Sequence, residues 1–231
     1  MHILVTRPIR DTRRTASKLE ALGRQPVCAP IFTIEPTDIP IPDGIFDIVI
    51  VTSANGADQL HRLEDWTAKT IYAVAPRTAE AILEHGSATD LRIAQGDAVS
   101  LIGLITAEQS VQSSILHITG IDHKAEPDAS LRAAGYPVKT WTAYHSQASE
   151  TLPEVIIAAL KNDSIDAVLH YSRRSASVLL DLVAAQDLTS RFLALKHYCL
   201  SEDVAIPLRA EGASAVLIAS APSEDALLAL L

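Results

Sequence analysis

The chain has 231 residues, 48% hydrophobic and 20% charged, with a formal net charge of −9 at pH 7. That length fills one large core or two of about 100 residues each; the composition excludes a disordered chain, and the acidic balance argues against a nucleic-acid partner. No apolar run approaches the roughly 18 residues of a membrane span, and Met1 leads straight into a strand pattern with no basic n-region, so a cytoplasmic protein with no membrane partner is expected.

Strand-length apolar runs fall at 2–6, 47–52, 70–75, 115–119, 167–171, 197–200 and 215–219. Helical periodicity separates them, at 12–22, 78–84, 125–134, 175–184 and 224–230 among others. The runs are rich in Val and Ile and mostly do not alternate with polar residues, the pattern of strands covered on both faces of a parallel sheet. Residues 27–42 carry four prolines and suit an extended linker better than a central strand. Residues 138–147 alternate polar and apolar. Each of these two stretches follows a helix closed by a glycine, Gly23 or Gly135. Cys28 and Cys199 lack metal-ligand spacing and read as reduced core thiols.

The chain also repeats itself. Asp47-Ile-Val-Ile-Val-Thr-Ser-Ala-Asn-Gly-Ala57 returns as Asp166-Ala-Val-Leu-His-Tyr-Ser-Arg-Arg-Ser-Ala176, and Ile3-Leu-Val-Thr-Arg7 as Leu116-His-Ile-Thr-Gly120. The prediction is α/β: two small parallel-sheet α/β lobes, flavodoxin- or Rossmann-like, joined by a two-stranded β linker. Lobe one comprises 1–33 and 148–231, lobe two 40–138, and 34–39 with 139–147 are the paired linker strands. Two sequential domains broken once are the simpler alternative.

In parallel sheets ligands bind beyond the carboxyl ends of the strands. The residues there include Thr6, Arg7, Thr52, Ser53, Asn55, Thr78, Thr119, Gly120, Ser172, Arg173, Ser175, Ser201 and Ser223. Each hydroxyl has two readings, a helix N-cap or part of an anion site built on exposed N–H groups. Arg7, Arg10, Arg13 and Arg14 crowd the start of the first helix, where cations oppose the macrodipole. They form either a solvated basic face or an anion site. No Gly-x-Gly-x-x-Gly, Gly-x4-Gly-Lys-Ser/Thr, His-Glu-x-x-His or Gly-x-Ser-x-Gly occurs, which argues against dinucleotide, triphosphate, zinc-protease and nucleophile-elbow chemistry. His117 and His170, inside strands, read as packed core residues. Tyr144 is either a proton donor or an aromatic packing the linkers.

Several segments carry a family resemblance: Ile3-Leu-Val-Thr-Arg-Pro8, Pro30…Pro36, Val51-Thr-Ser-Ala-Asn-Gly-Ala57, Ala73-Val-Ala-Pro-Arg-Thr-Ala79, Gly135…Tyr144, Tyr171-Ser172, Cys199-Leu-Ser201 and Ala219-Ser-Ala-Pro-Ser223. In this order and spacing they resemble the uroporphyrinogen-III synthase family over nearly the whole chain. The resemblance implies two α/β lobes on a two-stranded linker, with the substrate in the cleft. That substrate is linear hydroxymethylbilane, a polycarboxylate closed to uroporphyrinogen III with loss of water and inversion of the last pyrrole ring. It implies no metal and no organic cofactor. Tyr144 matches the family's candidate acid, and Thr6, Arg7, Ser53, Asn55, Thr78 and Ser172 match positions that line the cleft. Arg10, Arg14, Gly120, Arg173, Ser175, Ser201 and Ser223 complete the candidate substrate-binding set. Ser223 stands where the family commonly has Thr, Ala75 replaces a frequent Gly, and Arg173 replaces a common Pro. A monomer is expected. The alternative is a cofactor-free, two-lobed binding module for a small anionic ligand.

Overall fold

The computed structural model describes residues 1–86, 88 and 90–231. The chain opens with β1 (His2–Val5), α1 (Ile9–Ala21), β2 (Gln25–Cys28) and β3 (Phe32–Pro36). There follow β4 (Ile48–Val51), α2 (Ala54–Ala57), β5 (Thr70–Ala73), α3 (Pro76–Glu84), β6 (Asp90–Ile93) and α4 (Ala98–Glu108). Next come β7 (Ile115–Gly120), α5 (Asp128–Ala133), β8 (Val138–Ala148), α6 (Glu154–Lys161) and β9 (Ala167–His170). The chain closes with α7 (Arg173–Ala184), α8 (Thr189–Leu193), β10 (Lys196–Cys199), α9 (Glu202–Ala210), β11 (Ala215–Ile218) and α10 (Glu224–Leu228).

Helix ends follow local chemistry. Gly23 (φ +68°) and Gly135 (φ +95°) take the left-handed conformation just past α1 and α5. Arg24 N–H then reaches Leu19 O and Tyr136 N–H reaches Leu131 O, with Gly23 and Gly135 N–H on Glu20 O and Arg132 O. Both ends are Schellman motifs, which satisfy carbonyls a helix leaves unpaired. Helix α1 starts three residues before its apolar periodicity does, because Pro8, which has no N–H to leave unpaired, stands at its N-terminal boundary.

The chain divides into two units, Met1–Thr33 with Gln147–Leu231, and Ile34–Ser146. It passes between them within β3 and within β8. The first unit carries a parallel sheet in the order β11-β10-β9-β1-β2. Ile3 and Val5 pack with Leu19 of α1 and Leu227 of α10 on one face, while Leu4 packs with Leu179 and Leu208 of α7 and α9 on the other. Ile3, Leu4 and Val5 are each 0% exposed, so no polar face remains on this strand. Burying each such side chain contributes about 1.5–3 kcal/mol.

The second unit carries a sheet in the order β3-β8-β7-β4-β5-β6. The pairs among β8, β7, β4, β5 and β6 are parallel. Val49, Val51, Ile71 and Leu116 face α2 and α3, and Ile48, Ile50, Tyr72 and Ile115 face α4 and α5.

Two features depart from the sequence reading. Strands β2 and β6 went unrecognised, since Gln-Pro-Val-Cys and Asp-Leu-Arg-Ile are polar-containing edge strands. Cys28, expected in the core, is exposed at the end of edge strand β2; Cys199 in β10 is buried.

His170 and His197 are buried in neighbouring strands β9 and β10. His197 Nε2 donates to Phe192 O at 3.1 Å, which leaves its Nδ1 to accept from His170 Nε2 at 3.0 Å. His197 is neutral in this arrangement. Burial depresses His197 to about 4 and pushes His170 well down, with His197 adding to the effect. The unfolded chain binds protons near pH 6.5 that the folded protein does not, so stability is lost as pH falls from 6.5 towards 4. The melting temperature should drop across that window, and the double substitution His170→Leu/His197→Leu should flatten the decline. An equally steep decline in the variant would contradict this source of acid lability.

Candidate active site

In the second unit β4 ends at Val51, and Thr52 and Ser53 lead into α2. Ser53 is extended (φ −153°, ψ 159°), and its Oγ accepts the Gly56 N–H at 3.0 Å, capping the helix. A Cβ on Gly56 would lie 3.3 Å from Ile118 O, so glycine lets this turn sit close to β7. The Ser53 Oγ also lies 2.8 Å from the Tyr144 hydroxyl. Either hydroxyl can donate in this contact; in the arrangement in which Ser53 donates to the phenol oxygen, the Tyr144 proton is left for a ligand.

Tyr144 is aimed by a bulge. Thr119 pairs with Thr142 but Gly120 pairs with Tyr144, so β8 carries one extra residue there and its side chains are redirected. A Cβ on Gly120 would fall 2.8 Å from the Tyr144 ring, closer than side chains tolerate. The role of Gly120 in this structure is thus to admit the ring. Arg62 ties β8 to the end of β3: its guanidinium donates to Ala143 O at 2.9 Å and Thr37 O at 3.0 Å and lies over the Trp141 ring. Burial raises the Tyr144 phenol above its ordinary value; the Asp58 carboxylate adds to this and the Ser53 hydrogen bond offsets part. It stays protonated at neutral pH.

Of these residues Gly120 and Tyr144 line a concavity of about 450 Å³ at the carboxyl ends of β4, β5 and β7, together with Thr52, His117, His123 and Lys124 among others; Ser53 stands behind Tyr144 and is not part of the lining. Asn55 follows Ser53 inside α2. Thr78 is buried in α3 and does not line the concavity.

Gly120→Ala should misplace the phenol. A misplacement of about 1 Å costs on the order of 10²-fold in rate, so a comparable loss of turnover is expected. The double variant Gly120→Ala/Tyr144→Phe should then be little worse than Tyr144→Phe alone, because both act on one group. Fully multiplicative losses would contradict the account.

The first unit places its candidates differently. Ser172 repeats the Ser53 geometry: it is extended and its Oγ accepts the Ser175 N–H at 3.1 Å. Ser223 caps α10, and Ser201 stands at the α9 N-cap without a side-chain cap bond. Arg173 forms an exposed ion pair with Asp203 at 3.3 Å. Thr6 is buried beyond β1, Arg10 lies in the first turn of α1, and Arg13 is exposed.

Arg7 and Arg14 are tied inward by a residue the sequence did not single out. Glu224 Oε1 accepts from Arg7 at 2.8 Å, Thr15 at 2.8 Å and Tyr171 at 3.1 Å; Oε2 lies 3.0 Å from Lys18 and 3.3 Å from Arg14. Arg7 stacks 3.9 Å from the Tyr171 ring centroid and reaches Asp11 at 3.2 Å. Burial works to raise the Glu224 carboxyl, but hydrogen bonds from Thr15 and Lys18 and the charges of Arg14 and Arg7 outweigh it and hold it at about 2. Arg7, Arg14 and Lys18 are thus paired with the chain's own carboxylates, Glu224 at the centre with Asp11 and Asp225 beside it.

Among the described residues no group of three or more His, Cys, Asp and Glu is placed to hold a metal ion. Among them, too, no helix is long and apolar enough to cross a membrane.

The fold and site define a two-unit parallel α/β protein with a phenol–hydroxyl pair at a strand-end concavity. A family model described as uroporphyrinogen-III synthase HemD matches residues 13–229. The chain belongs to the uroporphyrinogen-III synthase family, and with it to the cyclising hydro-lyases of tetrapyrrole biosynthesis; the binding-module alternative is not favoured. No curated protein sequence is significantly similar. Among solved structures, uroporphyrinogen-III synthetase from Helicobacter pylori is 15% identical over 90% of this chain and 91% of that one, with a TM-score of 0.60. A mutant uroporphyrinogen III synthase from the extremely thermophilic bacterium Thermus thermophilus is 18% identical over 100% and 96%, with a TM-score of 0.50. At these identities the structural likeness concerns the fold alone.

Proposed function

We propose that the strand-end concavity of the second unit is where hydroxymethylbilane loses its hydroxyl, with Tyr144 as the acid. The observation that carries this reading is the 2.8 Å contact between Ser53 Oγ and the Tyr144 hydroxyl. A hydroxyl leaves carbon as water only when it receives a proton, and a buried phenol is a donor at neutral pH. Ser53, donating to the same oxygen, would stabilise the phenolate left behind.

The cation that results is reactive and closes without help, but to the uninverted isomer. The protein's task is therefore conformational: it must hold the terminal ring so that closure passes through the spiro intermediate. In the second unit the helix start capped by Ser53, with Asn55, supplies N–H groups and a polar side chain for substrate carboxylates; the first unit carries groups of the same kind at Ser172, Ser175, Ser201, Ser223, Arg10 and Arg173. Thr6 and Thr78 support those strand ends from within. Arg7 and Arg14 act as a scaffold braced on Glu224. A monomer working in the cytoplasm belongs to the same reading.

Tyrosine NMR tests the placement, since the chain has only five tyrosines. The ring signal assigned through Tyr144→Phe should move on titration with uroporphyrinogen III. A signal that stays fixed at saturating product would remove Tyr144 from the site.

A further inference from the structure

Cyclisation with loss of water needs a proton delivered and a proton taken away. The Tyr144 phenol covers the first. On the inverting path the former hydroxymethyl carbon bonds first to the substituted α-carbon of the terminal ring, giving the spiro intermediate; that α-carbon then releases its bridging carbon, which bonds to the ring's free α-carbon. The free α-carbon still carries its hydrogen, and aromaticity returns only when that proton leaves.

A chain of three side chains ends on the same concavity. Thr52 Oγ1 lies 3.0 Å from His117 Nε2, and His117 Nδ1 lies 2.7 Å from Asp128 Oδ1. His117 and Asp128 are only 1% and 3% exposed. The other Asp128 oxygen accepts from the Thr140 hydroxyl and lies 3.5 Å from Arg132 Nη2. Burial works to raise the Asp128 carboxyl, but hydrogen bonds from His117 and Thr140 and the Arg132 charge hold it below the ordinary range. A carboxylate only accepts, so His117 Nδ1 carries a proton; in the neutral imidazole Nε2 is then the acceptor and Thr52 donates to it. The order hydroxyl, imidazole, carboxylate is that of a proton-accepting relay.

The other buried imidazole of this kind gives the contrast. The His170–His197 pair ends on a backbone carbonyl, Phe192 O, with no hydroxyl at its end. The His117 chain ends on Thr52, which lines the concavity together with Tyr144. Thr52 and Ser53 are adjacent in sequence, so one hydroxyl serves the acid and its neighbour the base.

We propose that Thr52, backed by His117 and Asp128, takes up the proton released when the macrocycle closes, an assignment that rests on the reading of Tyr144 as the acid. The electron pair of the α-C–H bond returns to the pyrrole ring, and the proton passes to Thr52 Oγ1 as the Thr52 proton moves to His117 Nε2. The imidazolium is balanced by Asp128, and its proton later returns through solvent to the phenolate. Water is the only other product and nothing is oxidised or reduced. Thr52 is the catalytic residue; His117 and Asp128 are positioning residues that act through it.

The test uses the full chain and bilane generated in situ, with and without deuterium at the terminal α-carbon. Thr52→Val and His117→Gln should each slow closure by about 10²-fold. Each should also raise the isotope effect on turnover above the wild-type value, because proton loss becomes limiting. Thr52→Ser should recover much of the rate lost in Thr52→Val. If His117→Gln fails to fold, Thr52→Val, which keeps the side-chain shape, decides alone. Folded variants with wild-type rates, or slower variants with an unchanged isotope effect, would overturn the relay. A wild-type chain that makes no inverted isomer would instead defeat the underlying functional reading, so the two failures are distinguishable.

Discussion

Tyr144→Phe should keep the fold and reduce turnover by about 10²–10⁴-fold, equivalent to roughly 3–5 kcal/mol of barrier. The ring remains, so the packing against Gly120 and the bulge in β8 is retained. What disappears is the one proton donor that Ser53 orients. Water entering the concavity could carry part of the proton delivery, which places the loss towards the lower end of that range. Tyr144→Ala removes the ring as well and should add a drop in the fraction of inverted isomer, because the concavity loses its wall. Rate and isomer ratio measured on both variants separate the two contributions. Full turnover in Tyr144→Phe would assign the ring to packing.

The second large effect concerns Glu224. Glu224→Ala leaves Arg7, Arg14 and Lys18 facing one another with their shared acceptor gone. Removing one partner of a largely buried ion cluster costs about 3 kcal/mol, and the partial exposure of Arg14 and Lys18 lowers this somewhat. The midpoint of denaturant unfolding should fall accordingly at pH 7. The sign of the pH dependence follows from the direction of the shift. With the folded carboxyl held at about 2 against an ordinary 4.5, the contribution is complete above pH 4.5 and is lost as pH falls from there to 2. The variant should therefore show a shallower decline across that window. A variant as stable as the wild type, with the same acid decline, would show that the cluster holds without its hub.

Much of the fold was legible because its central strands are unbroken apolar runs. Ile48–Val51 and Ala167–His170 lie inside sheets with helices on both faces, so burial imposes a composition that stands out. Edge strands β2 and β6 carry no such imprint, unlike the apolar edge strand β11: β2 holds Pro26 and β6 holds Asp90 and Arg92, since one side of each is left to solvent. At the site, Ser53 and Tyr144 were legible as residue types at strand ends. The role of Gly120 was not, because it depends on a register shift between two strands. Glu224 read as an ordinary first-turn acid of α10, favourable to the helix dipole; its bond to Arg7 spans 217 residues and exists only after folding. His117 reads from sequence as a buried strand residue, and buried it is. Only the structure shows that both its ring nitrogens are engaged, one of them by a hydroxyl on the concavity.

The most direct measurement is the isomer composition of the product. Hydroxymethylbilane made in situ by its own synthase is incubated with the chain, the products are oxidised, and the porphyrin isomers are separated by chromatography. The account predicts rapid consumption of the bilane with the inverted isomer, uroporphyrinogen III, as the dominant product. Formation of the uninverted isomer alone, at the rate seen without the chain, would contradict it.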